Sequence, residues 1–171
     1  MDASVFQKRG KQMEQKPATK IKILPDVIDN HYSGLKISQY AFYLITAVTL
    51  VRSLIHVFAP DGGAQSIATI PLDSYSAEAA SAVILMFSLW GLSQLLMGIA
   101  YLGVSLKYKS LIPAMYVLVI FEYAMRIVIG QMKPIITTGT APGSIENWIM
   151  VPVCIVLLAL SLIPAKSAKH A

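Results

Sequence analysis

Residues 77–106 read AEAASAVILMFSLWGLSQLLMGIAYLGVSL, thirty positions with a single charged residue, Glu78. At about 1.5 Å per residue such a helix exceeds the roughly 30 Å of a bilayer's hydrocarbon core. The segment therefore predicts a membrane-crossing helix whose first turn, with Glu78, stands in the interface or whose axis tilts. Ala77, Ser81, Ile84, Ser88, Gly91, Leu95, Gly98 and Leu102 recur at alternating steps of four and three. That spacing gathers small residues into one stripe, where a neighbouring helix can come close, so Ser81, Ser88, Gly91 and Gly98 are the expected packing positions. Trp90, Gln94 and Tyr101 fall on an adjacent face, where Gln94 suits a hydrogen bond to another helix or contact with a quinone or polar solute.

Three more apolar runs flank this one, at 37–58, 111–132 and 148–165. The predicted fold is all-α, a four-helix transmembrane bundle. Lys107 to Ser110 is a short connection and predicts that the second and third helices pack as an antiparallel pair. Over the 171 residues, 56% are hydrophobic and 13% charged, against a little under half and about a quarter in soluble domains. The chain divides into a basic, flexible segment (1–34), the membrane domain (35–166) and a short tail (167–171). The first run is too long for a signal-peptide core and has no small-residue cleavage site after it, so a retained anchor is expected.

Charge is distributed by loop. Lys8, Arg9, Lys11, Lys16, Lys20, Lys22 and Lys36 precede the first run, Lys107 and Lys109 follow the second, and Lys166 and Lys169 follow the fourth; Lys133 alone lies on the other side. The positive-inside rule then places both termini in the cytoplasm. The net charge of +5 thus expresses topology, and no nucleic-acid partner is expected, since that needs a basic face on a folded module. Lys20 to Leu24 mixes cations with apolar groups, as a charge anchor on anionic lipid or a docking site for a cytoplasmic partner would. In the opposite loops, Pro60–Gly63 and Ala141–Gly143 are turn sequences, and the apolar pieces 66–72 and 135–136 either cap the bundle, where they could cover a cavity, or hug the membrane. Ser144 or Asn147 suits the cap of the fourth helix.

One cysteine, Cys154, excludes an internal disulfide, a CxxC pair and a thiolate cluster. His31, His56 and His170 are too scattered for paired haem ligands, so no metal or cofactor is expected. Chemistry, if any, should lie among ionisable residues inside the spans: Arg52 and His56 on the first helix, Glu122 and Arg126 on the third. An ionisable group at the bilayer centre costs about 2.5–3.5 kcal/mol on insertion scales. Each pair is four residues apart, and Glu122 precedes Arg126 in the favourable order for a helical ion pair. Both arginines lie about six residues from the same end of their helices and should share a layer. Two arginines against Glu122 leave a positive charge, for which Asp61, Asp73, Glu78, Glu146, a lipid headgroup or a substrate is a candidate partner. Arg52 stands eight residues before Pro60 and Arg126 eight before Pro134, which raises the hypothesis of two parallel two-helix halves.

With Gly91 to Gln94, Glu122 to Arg126, and Ala141 to Gly143 followed by Asn147, the size, the four-span layout and an arginine near the outer end of the first helix resemble the small bacterial membrane proteins of the DoxX-like group. The resemblance covers residues 37–165 as a pattern and implies a multi-pass protein of the bacterial inner membrane. Some members of that group are associated with quinone-coupled sulfur oxidation or with redox-stress complexes, but no residue here transfers either role.

Three functions fit the sequence. The first is a structural or accessory protein of the bilayer, a homo-oligomer or a subunit of a larger membrane complex, held together by its polar cluster. The second is a binder or carrier of a small anionic solute or ion, using Arg52, Arg126 and Glu122 with His56 and Gln94. The third is a membrane enzyme acting on a quinone or lipid through His56 and Glu122. No nucleophile and base pattern supports it, so an enzyme is the least expected of the three.

Overall fold

The computed structural model describes residues 22–165, and the regular structure among them is helical. Four long helices follow in order: α1 (Lys36–Phe58), α2 (Ala77–Lys107), α3 (Ile112–Met132) and α4 (Pro142–Ser161), with 3-10 turns at Leu72–Ser74 and Lys109–Leu111. Each is long and apolar enough to cross a membrane. Leu85, Met86, Leu92 and Leu96 on α2 and Ile149, Val153, Ile155 and Val156 on α4 are exposed. A soluble helix would hide such a stripe, whereas lipid is as good a surrounding for it as a core. The chain is a multi-pass membrane protein.

Helix ends follow local chemistry. Ser76 caps α2, its side chain accepting the Ala79 N–H at 3.3 Å. The fourth helix begins at Pro142, six residues before the expected start, because a proline in the first turn lacks only an N–H that would have had no helical partner. Ser144 therefore does not cap it; its hydroxyl donates to the Ala141 carbonyl, and Asn147 lies inside the helix. At the other end α4 stops at Ser161, short of the expected residue 165, since Pro164 disfavours a helical residue before it.

The helices associate as two pairs, α1 with α2 and α3 with α4, and α1 touches α4 across the pairs. The expected close pairing of α2 with α3 does not occur; they share little surface, although the Lys109–Leu111 turn joins their ends. The small stripe explains why, because it faces α1. A Cβ on Gly91 would lie 2.6 Å from His56 Cβ, and one on Gly98 would lie 2.9 Å from a Leu50 methyl. Ser88 is half-buried, and Ser81 is exposed.

We call the end holding residues 22–35 and 162–165 proximal and the other distal. The proximal core is aromatic. Phe42 meets Tyr101 and Tyr116 edge to face, with centroids 5.5 and 5.7 Å apart, and the Tyr116 hydroxyl donates to the Ser38 carbonyl at 2.5 Å. Thr46 and Ser53, buried on α1, donate to carbonyls four residues back, and the Thr46 hydroxyl also lies 3.3 Å from that of Ser105 on α2. The segment expected to be flexible is tied down over Asp29 to Leu35: the Ser110 hydroxyl bonds both backbone groups of Asp29, Leu35 N–H donates to Leu160 O, and Ala165 N–H donates to Ser33 O. Of the expected membrane-surface stretch, Lys22 to Leu24 is described, with Lys22 paired to Asp26 at 2.8 Å; Lys8, Arg9, Lys11, Lys16, Lys20, Lys166, Lys169 and His170 lie outside the described residues.

Candidate functional site

The distal half of the bundle surrounds a cavity of about 790 Å³. α1 contributes Arg52 and His56, α2 Phe87 and Trp90, α3 Arg126 and Gly130, and α4 Glu146 and Trp148. The separation of the two helix pairs makes the space. Side chains that would otherwise touch across α2 and α3 line it instead.

Arg52 on α1 donates from Nη1 to both carboxylate oxygens of Glu146 on α4, at 2.9 and 2.8 Å, and the Tyr123 hydroxyl donates to Glu146 Oε1 at 2.6 Å. Arg126 pairs with Glu122 one turn earlier on α3. Its guanidinium lies between two rings, 5.1 Å from the Trp90 centroid and 5.0 Å from that of Tyr123, where the negative faces of the rings favour a cation. The two arginines share a layer, as their depths predicted, and the positive charge left over in the sequence is met by Glu146. That residue was one of several loop candidates. The early start of α4 puts it inside the helix, facing α1.

His56 is 4% exposed, against Phe87 and Trp90. Its Nδ1 lies 2.7 Å from the Gly62 carbonyl, which can only accept, so Nδ1 carries the proton. Among the described residues Nε2 has no hydrogen-bond partner. Gln94 does not line the cavity, and no hydrogen bond joins it to another helix among the described residues. Trp90 and Tyr123 were not expected in the site; for both, the signal was spacing, since Trp90 is one residue before Gly91 in the α1 contact and Tyr123 lies three before Arg126.

The distal loops roof the cavity. Thr138 N–H donates to the Thr69 carbonyl at 2.9 Å, and the Thr69 hydroxyl donates to the Gly139 carbonyl at 2.9 Å. Thr69 has φ 57, a left-handed conformation rare for a β-branched residue, held by these contacts. At the base of the first loop, burial disfavours the Asp61 carboxylate, but N–H groups of Ser66, Gly63 and Gln65 outweigh it and hold its pKa at about 2.

The donors around the cavity are only partly used. A guanidinium offers five N–H donors in a fixed fork, and one nitrogen of each arginine is engaged. The Arg52 and Arg126 side chains stay 19% and 18% exposed. Among the described residues only the Tyr101 hydroxyl is both sealed and unpartnered, so the spare guanidinium nitrogens remain open. The chain matches no protein-family model, no curated protein and no solved structure.

Proposed function

We propose that the protein is a small-molecule-binding protein of the membrane and that its ligand sits in the distal cavity against Arg52, Arg126 and His56. One observation carries this: spare guanidinium donors line a cavity large enough for a ligand, about 790 Å³, between aromatic side chains. The same groups would hold a carrier's substrate, but the core of the proximal half is packed with aromatic rings, which favours binding over transport. The test is native mass spectrometry of the protein taken from its own membrane into nanodiscs. A bound organic molecule is expected in stoichiometric amount, and a chain that is bare in every preparation refutes the proposal.

The ion pairs favour a second function, that of a structural or accessory subunit. Arg52 with Glu146 ties α1 to α4, and so one helix pair to the other. The exposed faces of α2 and α4 would then meet another copy or a partner subunit instead of lipid alone. Arg52→Met together with Glu146→Leu separates the two: loss of ligand with the fold kept supports binding, and loss of the fold supports the clamp.

The basic residues at the proximal end, with Lys133 alone at the distal end, support a bacterial inner membrane protein with cytoplasmic termini and a cavity facing outward. Cys154 is buried, so single new cysteines report the topology. Lys133→Cys should react with an impermeant maleimide on whole cells and Lys107→Cys only after lysis. The reverse pattern would invert the orientation.

A further inference from the structure

We infer that the cavity takes an uncharged, hydroxyl-bearing amphiphile, such as a glycerol or alcohol headgroup on a single apolar chain. This rests on the distal cavity being a binding site. The sequence alone suggested an anion, because it left two arginines against one glutamate. With Glu146 in place each arginine has its own carboxylate, and the cluster is neutral. The rest of the distal end is acidic: Asp61, Asp73 and Glu78 stand there against Lys133. An added anion would enter a low-dielectric site with no charge to compensate it, and an added cation would meet two guanidinium groups whose carboxylates are engaged.

The polar groups left over select a hydroxyl. Spare N–H groups of Arg52 and Arg126 can only donate. With Nδ1 committed to the Gly62 carbonyl, the imidazole form of His56 offers Nε2 as an acceptor from a ring that lines the cavity. A ligand oxygen that both accepts and donates satisfies both sides; a carbonyl or an ether satisfies one. The remaining wall sets apolar and aromatic side chains, Ile67, Phe87, Trp90, Ile127, Ile135 and Trp148, beside uncharged polar ones, Gln131, Thr137, Thr140, Ser144 and Asn147, which suit a hydroxyl-bearing head better than a charged one. The clasp between Thr69 and Thr138 covers the distal end. On α3, Gly130 leaves the wall open, since a Cβ there would meet nothing within 4 Å. An apolar chain leaves the site past Gly130 into the bilayer, and the head stays with the arginines.

The chain's two tryptophans, Trp90 and Trp148, both line the cavity, so its own fluorescence reports occupancy. In a Trp148→Phe protein, held in phosphatidylcholine nanodiscs, Trp90 is the sole reporter. The probes are four amphiphiles of equal chain length, brominated near the chain's head end: a monoacylglycerol, its O-methylated form, the fatty-acid anion and the alkyltrimethylammonium cation. Saturable quenching by the monoacylglycerol is expected, at least about tenfold tighter than by any of the other three. Gly130→Leu should abolish the saturable part while leaving helicity unchanged, because the new side chain fills the open wall. Tighter quenching by either charged probe overturns the uncharged class and leaves the cavity a binding site. Equal affinity for the O-methylated form removes the hydroxyl requirement. If no probe gives saturable quenching that Gly130→Leu removes, both the ligand class and the binding function fall.

Discussion

The proximal and distal halves are made from the same four helices and are closed in opposite ways. Proximally, the Phe42, Tyr101 and Tyr116 rings fill the space, and the buried Thr46 hydroxyl is taken up by the Phe42 carbonyl and by Ser105. Distally, two arginines and Glu146 line a cavity, with Glu122 behind Arg126 and more donors than the protein uses. In lipid, apolar contact gives no water-exclusion force between helices, so packing and polar contacts hold them together. The proximal half shows that this chain can close a bundle without charge. Charge in the distal half, which is costly to hold within the apolar layer, therefore exceeds what closure needs.

The largest effects should come from the proximal half. Phe42 is fully buried, and Phe42→Ala should cost about 3–5 kcal/mol in reversible unfolding from mixed micelles. Glu146→Ala should cost a similar amount, about 3–5 kcal/mol, because it leaves Arg52 without its counter-charge in a partly buried site. The contrast lies in the double replacement. Arg52→Met with Glu146→Leu should restore stability to the wild-type level or above, as replaced buried pairs often do. If the double variant unfolds as readily as Glu146→Ala, the distal pairs are as architectural as the proximal rings, and the contrast between the halves disappears. A smaller effect separates two glycines of α2. Gly91→Ala should destabilise by about 1–3 kcal/mol, since its Cβ would meet His56. Gly103→Ala, with open space around it, should stabilise by about 0.5–1 kcal/mol.

Much of this architecture was legible in the sequence. Apolar length gave the four spans, and the Gly91 and Gly98 stripe gave a close helix contact. The sequence did not say that α1 would occupy it, because spacing on one helix does not identify the partner. The arginine layer was legible for a similar reason, as depth can be counted from the span ends. The partner of Arg52 was not. Reading Ala141-Pro-Gly143 as a turn hid a helix start at Pro142, and with it the inward face that carries Glu146. One misplaced boundary turned a neutral cluster into an apparent anion site. The loops suggested that a cavity could lie beneath them, but its place was not legible, since it arises from the separation of α2 and α3, which depends on which helices pair.

The smallest expected effect is confined to one loop and sharpens the contrast by pH. Asp61 titrates at about 2 in the fold, below the ordinary carboxylate value of about 3.9, because backbone N–H groups of Ser66, Gly63 and Gln65 point at it. Its contribution is therefore fully present above about pH 4 and is lost as pH falls towards 2. The proximal anchor between Asp29 and Ser110 is made by the backbone N–H and carbonyl of Asp29 with the hydroxyl and N–H of Ser110, and no carboxylate takes part in it. Hydrogen exchange, corrected for its intrinsic pH dependence, should show the amides of Gly63, Gln65 and Ser66 losing protection between pH 4 and pH 2 while that of Ser110 does not change. In Asp61→Asn the loop amides should exchange alike at both ends of that window. Parallel loss at Ser110 and the Asp61 loop would instead mean that acid loosens the whole bundle, and that the two ends are not independently held.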